Sequence, residues 1–166
     1  MTRPAPVSLA VLMALALVCV QTRTLHAQIG ASAATPILVL PYVQYGAPLR
    51  VSAGLAFFRP TGDNRSAARG QGLLVEGGAG QSGARAAVGA YSFEEYLVID
   101  GRLVIARTWG SPLRASSDST YAGVEAGLSI AYVRVSTGVA RRLSGPAGAH
   151  ATAFFWSIGL QIPLRY

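Results

Sequence analysis

Over most of its length this chain alternates between large apolar residues and small or polar ones, which restricts it to folds built from β-strands. Side chains on a strand point to opposite faces in turn, so a period of two indicates strands whose two faces differ. The clearest case is the C-terminal stretch, where one face carries Phe154, Trp156, Ile158, Leu160, Ile162, Leu164 and Tyr166. No helical period of 3.6 residues follows residue 27.

The same alternation recurs along the chain and predicts eight strands. They span residues 37–45, 48–58, 71–80, 83–92, 97–108, 121–130, 132–142 and 152–164. The connections are rich in Gly, Pro, Ser and Asp, which favour turns. Between the fourth and fifth strands, the turn falls at either Glu94-Glu95 or Asp100-Gly101. The sequence therefore predicts one all-β domain, an eight-stranded antiparallel up-and-down barrel.

The first 27 residues have the features of a cleaved secretory signal peptide. Arg3 gives a positive start, the stretch from Val7 to Val20 is apolar, and Ala27 is a small residue at the expected cleavage site. This stretch is shorter than the roughly 20 residues that a membrane helix needs. We expect a signal helix over 1–27 and a mature barrel domain over 28–166. Cleavage would also remove Cys19, the one cysteine of the chain, which excludes cysteine nucleophiles and cysteine metal ligands from the mature protein.

The composition of the polar face predicts which face of the barrel meets water. Charged residues make up 13% of the chain and Gly 19 of its 166 residues, whereas soluble domains carry about 25% charge and about 7% Gly. A face of Gly, Ser and Ala with few charges suits the lumen of a small transmembrane barrel whose apolar face contacts lipid. Ion pairs between strands would plug this lumen, and the charges predicted to form them are Arg50, Glu76, Arg85, Asp100, Arg102, Glu125 and Arg134.

Aromatic residues cluster near the predicted strand ends. Outer-membrane barrels place aromatic girdles at both membrane interfaces, and the residues expected to form them are Tyr45, Phe57, Phe58, Tyr96, Trp109, Tyr121, Phe154, Trp156 and Tyr166.

The C-terminal strand resembles the insertion signal of bacterial outer-membrane β-barrels, which ends in an aromatic residue preceded by alternating apolar residues. The matching positions are Ile158, Leu160, Ile162, Leu164 and Tyr166. With the signal peptide, the chain is similar to the small eight-stranded class that includes the outer-membrane protein A transmembrane domain and the opacity-type proteins. The resemblance implies location in the outer membrane of a Gram-negative cell, contact with its lipid, and delivery by periplasmic chaperones to the barrel-insertion machinery. Two residues depart from the usual pattern: Tyr166 stands where the signal usually ends in Phe, and Pro163 lies within the signal strand.

The residues favour no catalytic, metal or cofactor site. His150 is the one histidine after residue 27, and it lies in a predicted loop without a serine beside it on one strand. Glu94 and Glu95 are adjacent, so on a strand they would point to opposite faces. The formal charge of +7 comes from 14 arginines scattered along the chain, which does not predict a nucleic-acid surface.

The sequence thus predicts a non-enzymatic, porin-like barrel with a structural or surface-interaction role, and leaves its oligomeric state open. The first alternative is a soluble exported barrel, similar to lipocalins, that binds a small apolar ligand on its Val/Leu/Phe face. The second is a lipid-modifying enzyme of the membrane built around His150.

Overall fold

The alternating stretches form the strands that their period predicts. In a computed structural model, which describes residues 37–61 and 69–162, eight strands follow one another in chain order round a closed antiparallel barrel. They are β1 (Leu38–Ala47), β2 (Arg50–Thr61), β3 (Arg69–Gly80), β4 (Gly83–Glu94), β5 (Leu97–Thr108), β6 (Thr120–Ile130), β7 (Val133–Ser144) and β8 (Thr152–Gln161). The prediction of an all-β, eight-stranded antiparallel barrel is confirmed, with most strand ends displaced by up to three residues. No helix among the described residues is long and apolar enough to cross a bilayer.

The two ends of the barrel differ in their connections. One end, called here the loop end, carries the β1–β2 and β3–β4 turns together with the longer connections 109–119 and 145–151. The opposite end carries the β4–β5 turn at Glu95-Tyr96 and the β6–β7 turn at Ala131-Tyr132. Of the two predicted positions for the β4–β5 turn, the structure therefore supports the one at Glu94-Glu95, displaced by one residue. Asp100 instead lies within β5.

The two faces of the sheet differ in exposure as sharply as they differ in composition. On β5, for example, exposed and buried residues alternate from Ile99 to Thr108. Leu103 is 63% exposed, whereas its neighbours Arg102 and Val104 are 4% and 3% exposed. Large apolar side chains therefore cover the outside of the barrel, and charged side chains lie inside it.

The barrel interior holds two apolar clusters. The first contains Ala87, Val104, Ala106, Tyr121, Ala140, Ala153 and Phe155. The second contains Tyr42, Ala56, Phe58, Leu74 and Tyr91, with the rings of Phe58 and Tyr91 in edge contact at 4.8 Å. Along β5, Asp100 and Arg102 lie between Val98, which packs on the second cluster, and Val104, which belongs to the first.

Two expectations about apolar residues are wrong. Phe58 and Tyr121, predicted for the aromatic girdles, point inward and are 5% and 0% exposed. Each lies an even number of residues from the polar residues of its strand and therefore shares their inward face. Leu49 falls within the predicted second strand at 48–58 but lies in the β1–β2 turn and is buried, because β2 begins at Arg50.

The predicted signal peptide over 1–27 lies outside the described residues. So do Leu164 and Tyr166 of the predicted insertion signal, together with Pro163.

Candidate functional site

Six charged side chains from five strands meet inside the barrel. Glu76 on β3 lies between two arginines: its Oε1 is 3.1 Å from Arg85 Nε on β4, and its Oε2 pairs with Arg102 Nη1 on β5. Arg85 Nη2 in turn lies 3.0 Å from Glu125 Oε2 on β6. These side chains are at most 5% exposed, so this part of the cluster is shielded from solvent.

The second part of the cluster is centred on Asp100. Arg102 Nε donates to Asp100 Oδ1 at 2.8 Å, and Arg134 on β7 donates to the same carboxylate through Nη2 at 2.9 Å. Arg134 Nη1 also lies 3.4 Å from Ser129 Oγ. Because Arg102 contacts both Glu76 and Asp100, the six side chains form one continuous network.

The network balances its own charge. Three carboxylates, Glu76, Asp100 and Glu125, face the three guanidinium groups of Arg85, Arg102 and Arg134. Removing a charge from water costs several kcal/mol, and a partner at ion-pair distance is needed to offset that cost. The arrangement is therefore an ion-pair network with no net charge that connects five neighbouring strands.

A separate group of neutral polar side chains lies at the seam where β8 pairs with β1 and closes the barrel. Ser136 Oγ and Ser157 Oγ are 2.7 Å apart, and Ser157 Oγ donates to Gln44 Oε1 on β1 at 3.1 Å. Polar side chains thus fill the interior between β7, β8 and β1.

Arg50 was predicted to belong to the lumen charges, and the structure places it elsewhere. It is the first residue of β2, with φ of 60°, and its Nε donates to Ser111 O at 2.6 Å. No carboxylate among the described residues pairs with it. The prediction for Arg50 was wrong because the β1–β2 turn directs its side chain to the 109–119 loop rather than into the barrel.

The outer surface is apolar between two sets of exposed aromatic residues. Val75, Leu103, Val124, Val135 and Ile158 are each more than 40% exposed. Tyr45, Trp109 and Phe154 lie toward the loop end, whereas Phe57, Tyr96 and Tyr132 lie toward the opposite end. The exposed members of the predicted insertion signal, Ile158, Leu160 and Ile162, belong to this surface.

The 109–119 loop folds across the loop end and bonds to the three other connections there. Trp109 N donates to Ser82 O at 3.1 Å, and Leu113 N donates to Pro48 O at the same distance. His150 N donates to Ser116 Oγ at 2.8 Å. Ala115 of this loop packs against the first interior apolar cluster. The loop therefore covers this end of the barrel.

Two hydroxyl groups hold the loop in that position. Thr108 Oγ1, fully buried, donates to carbonyls of the loop, at 2.6 Å to Ser116 O and 2.9 Å to Ser119 O. Tyr121 OH accepts from Ser116 N at 3.0 Å and lies 3.4 Å from His150 O. These contacts gave no signal in the sequence, because none of them follows from a periodic pattern.

Comparison with protein-family models, with curated proteins and with solved structures found no match for this chain. The functional conclusion therefore depends on the geometry of the barrel itself.

The structure does not bring His150 to the serines of the barrel interior. His150 is exposed in the 145–151 connection, whereas Ser157 lies inside the barrel and bonds to Ser136 and Gln44. Within residues 37–61 and 69–162, no group of three or more His, Cys, Asp or Glu side chains is placed to hold a metal ion.

Proposed function

We propose that the protein is a non-enzymatic outer-membrane β-barrel of a Gram-negative bacterium, with a plugged lumen and a structural or surface-interaction role. The observation that carries the proposal is the reversal of the usual burial pattern. Glu76, Asp100 and Arg102 are at most 4% exposed, while Leu103, Val124 and Ile158 are more than 50% exposed. A membrane barrel needs such an outer surface because its outward side chains contact lipid.

The dimensions of the strands support the same proposal. Each strand has 10 to 12 residues, and a tilted strand of about 9–11 residues spans the bilayer core. The exposed aromatic residues toward each end of the barrel match the interfacial girdles of membrane barrels. Residues over 1–27 with the features of a signal peptide supply the route of export through the periplasm, where chaperones and the insertion machinery would act.

The interior favours a plug over a pore. The neutral ion-pair network spans β3 to β7, and the 109–119 loop covers one end. An eight-stranded barrel leaves room inside for side chains and little else. We therefore expect the protein to conduct no ions when it is placed in a planar bilayer.

The soluble, lipocalin-like alternative requires the two faces of the sheet to be exposed the other way round. It needs the Val/Leu/Phe face to line a ligand cavity and the Arg/Glu face to meet water. The exposed apolar face and the buried charges weigh against it. The exposed position of His150 gives no support to a lipid-modifying enzyme.

Membrane fractionation with heat-modifiability tests the proposal. We expect the protein in the outer-membrane fraction, released by detergent and migrating faster on a denaturing gel before boiling than after it. Recovery in the soluble fraction without detergent, with no change in migration on boiling, would refute the membrane barrel and favour the ligand-binding alternative.

A further inference from the structure

The loop end of the barrel is strongly basic. Its described charged residues are five arginines and one aspartate, namely Arg50, Arg107, Arg114, Arg141, Arg142 and Asp118. Two of the arginines donate hydrogen bonds to loop carbonyls. Arg50 donates to Ser111 O, and Arg142 donates to Pro146 O and Ala149 O. The exposed guanidinium groups of Arg107 and Arg141 point outward, at the ends of β5 and β7.

Arg107 and Arg141 lie on either side of one strand. In the ladder, Arg107 pairs with Thr120 of β6, and Arg141 pairs with Ala122 of β6. Because neighbouring strands are about 4.8 Å apart and each residue advances about 3.4 Å along a strand, the two arginine backbones are separated by about 12 Å. Arg107 Nη1 donates to Thr120 Oγ1 at 3.1 Å, which draws its guanidinium toward β6 and therefore toward Arg141.

Within the part of the chain that the structure describes, these two arginines have no acidic partner. No carboxylate of the described residues lies within ion-pair distance of either guanidinium. The inward arginines of the same barrel each have one or two such partners. Two neighbouring, exposed and unneutralised guanidinium groups form a surface that favours an anion, and phosphate oxygens match the donors of arginine in geometry.

The surface directly beside this pair is apolar. Ile105 precedes Arg107 on the outer face of β5, and Val139 precedes Arg141 on β7. Phe154 lies opposite Val139 on β8. All three are exposed, so one ligand that carries both a charged phosphate and a hydrocarbon chain can contact the arginines and the apolar band together.

We infer that Arg107 and Arg141 form a binding site for a lipid with an anionic phosphate headgroup, at the membrane interface of the loop end. The inference rests on the proposed function, because it requires the apolar band to lie in a bilayer. Thr120 acts as a positioning residue through its bond to Arg107. Trp109, exposed and two residues beyond Arg107, adds an aromatic side chain of the kind that favours the interface.

Lipid binding to the protein extracted in a neutral detergent tests this site. Native mass spectrometry would measure the affinity for phosphatidic acid, a phosphate monoester, and for phosphatidylcholine with the same acyl chains. We expect phosphatidic acid to bind at least about tenfold more tightly, because its phosphate monoester carries a net negative charge, whereas the choline group neutralises the phosphate of phosphatidylcholine. The double variant Arg107→Gln/Arg141→Gln should lose that preference.

Arg59→Gln is the matched control, because Arg59 is an exposed arginine on β2 near the opposite end of the barrel. It should keep the preference for phosphatidic acid. Equal preference in the native protein and the double variant, or displacement of the lipid by millimolar inorganic phosphate, would overturn the lipid site. Heat-modifiability of each sample separates the two proposals: a folded, detergent-dependent barrel without the preference refutes the lipid site alone, whereas a soluble protein refutes the membrane barrel as well.

Discussion

At the scale of single residues, the interior charges depend on one another because water does not reach them. Arg102 illustrates this dependence, since its side chain is 0% exposed and contacts both Glu76 and Asp100. Replacing it by Met leaves two carboxylates short of a partner. Removal of one member of a buried pair costs about 3–5 kcal/mol, so Arg102→Met should lower the free energy of unfolding by that amount, measured by urea titration in detergent or vesicles.

Two further variants distinguish this effect from a general loss of charge. Arg59→Gln removes an exposed arginine and should change the free energy of unfolding by no more than about 0.5 kcal/mol. Adding Glu76→Gln to Arg102→Met should cost less than the sum of the two single changes, because the residues share one network. Strict additivity would argue against the network.

A second residue-scale prediction concerns glycines on the two faces of the sheet. A Cβ added at Gly127 would overlap the Arg134 guanidinium and lie 2.6 Å from Asp100 Oδ2. Gly127→Ala should therefore disrupt that ion pair and cost about 1–3 kcal/mol of unfolding free energy. A Cβ added at Gly101, on the outer face, meets nothing within 4 Å.

Gly101→Ala serves as the matched control for Gly127→Ala. It should leave stability unchanged or raise it by about 0.5–1 kcal/mol, because glycine weakens the interior of a strand relative to alanine. If urea titration gave the two variants the same stability, the packing of Arg134 and Asp100 against Gly127 would be wrong.

The direction of a side chain could be predicted from the sequence where the alternation along a strand decides it, and could not be predicted where a turn decides it. Six of the seven predicted lumen residues point inward, because each has the parity of the polar face within a strand. Arg50 does not, since it begins β2 with a positive φ and reaches a loop. The prediction of Phe58 and Tyr121 for the girdles depended on residue type and on position near the strand ends, although the alternation along each strand already places them inside.

At the scale of elements, the strands were predictable and the 109–119 loop was not. Alternation repeats over ten or more residues in each strand, so an error at a boundary leaves the strand itself unchanged. The loop is held by a few hydrogen bonds to Pro48, Ser82 and His150, which are distant in sequence. A composition rich in Gly, Ser and Pro indicates a loop without indicating what it contacts.

The cap formed by this loop depends on the buried hydroxyl of Thr108. Thr108→Val keeps the side-chain shape but removes the bonds to Ser116 O and Ser119 O. A lost buried hydrogen bond costs about 1–3 kcal/mol, so the loop should open more often. Trypsin should then cleave after Arg114 about tenfold faster, because proteolysis follows the population of the open form.

Ser117→Ala is the control within the same loop, because the one bond of Ser117 Oγ among residues 37–61 and 69–162 is to the adjacent Asp118. It should leave the cleavage rate after Arg114 unchanged. An unchanged rate in Thr108→Val as well would show that its hydroxyl does not hold the loop closed.

At the scale of the whole molecule, the barrel exposes a band of large apolar side chains and buries a network of charged ones. Alternation predicted that the two faces differ, and the scarcity of charge predicted which face points inward. Neither feature identifies what the loop end contacts, because surface recognition depends on the arrangement of a few side chains. The basic pair at Arg107 and Arg141 became visible once the register placed both beside β6.

Whether lipid or water surrounds the outer face of β6 tests the membrane barrel most directly. A nitroxide label on Val124→Cys, in a Cys19→Ala background and after reconstitution into phosphatidylcholine vesicles, would report it by collision with oxygen or with a water-soluble nickel chelate. Val124 is 54% exposed between the outward Leu103 and Val139, so we predict strong relaxation by oxygen and weak relaxation by nickel. Relaxation by nickel as strong as for a label on Asp118→Cys, in the exposed loop, would contradict a lipid-facing barrel.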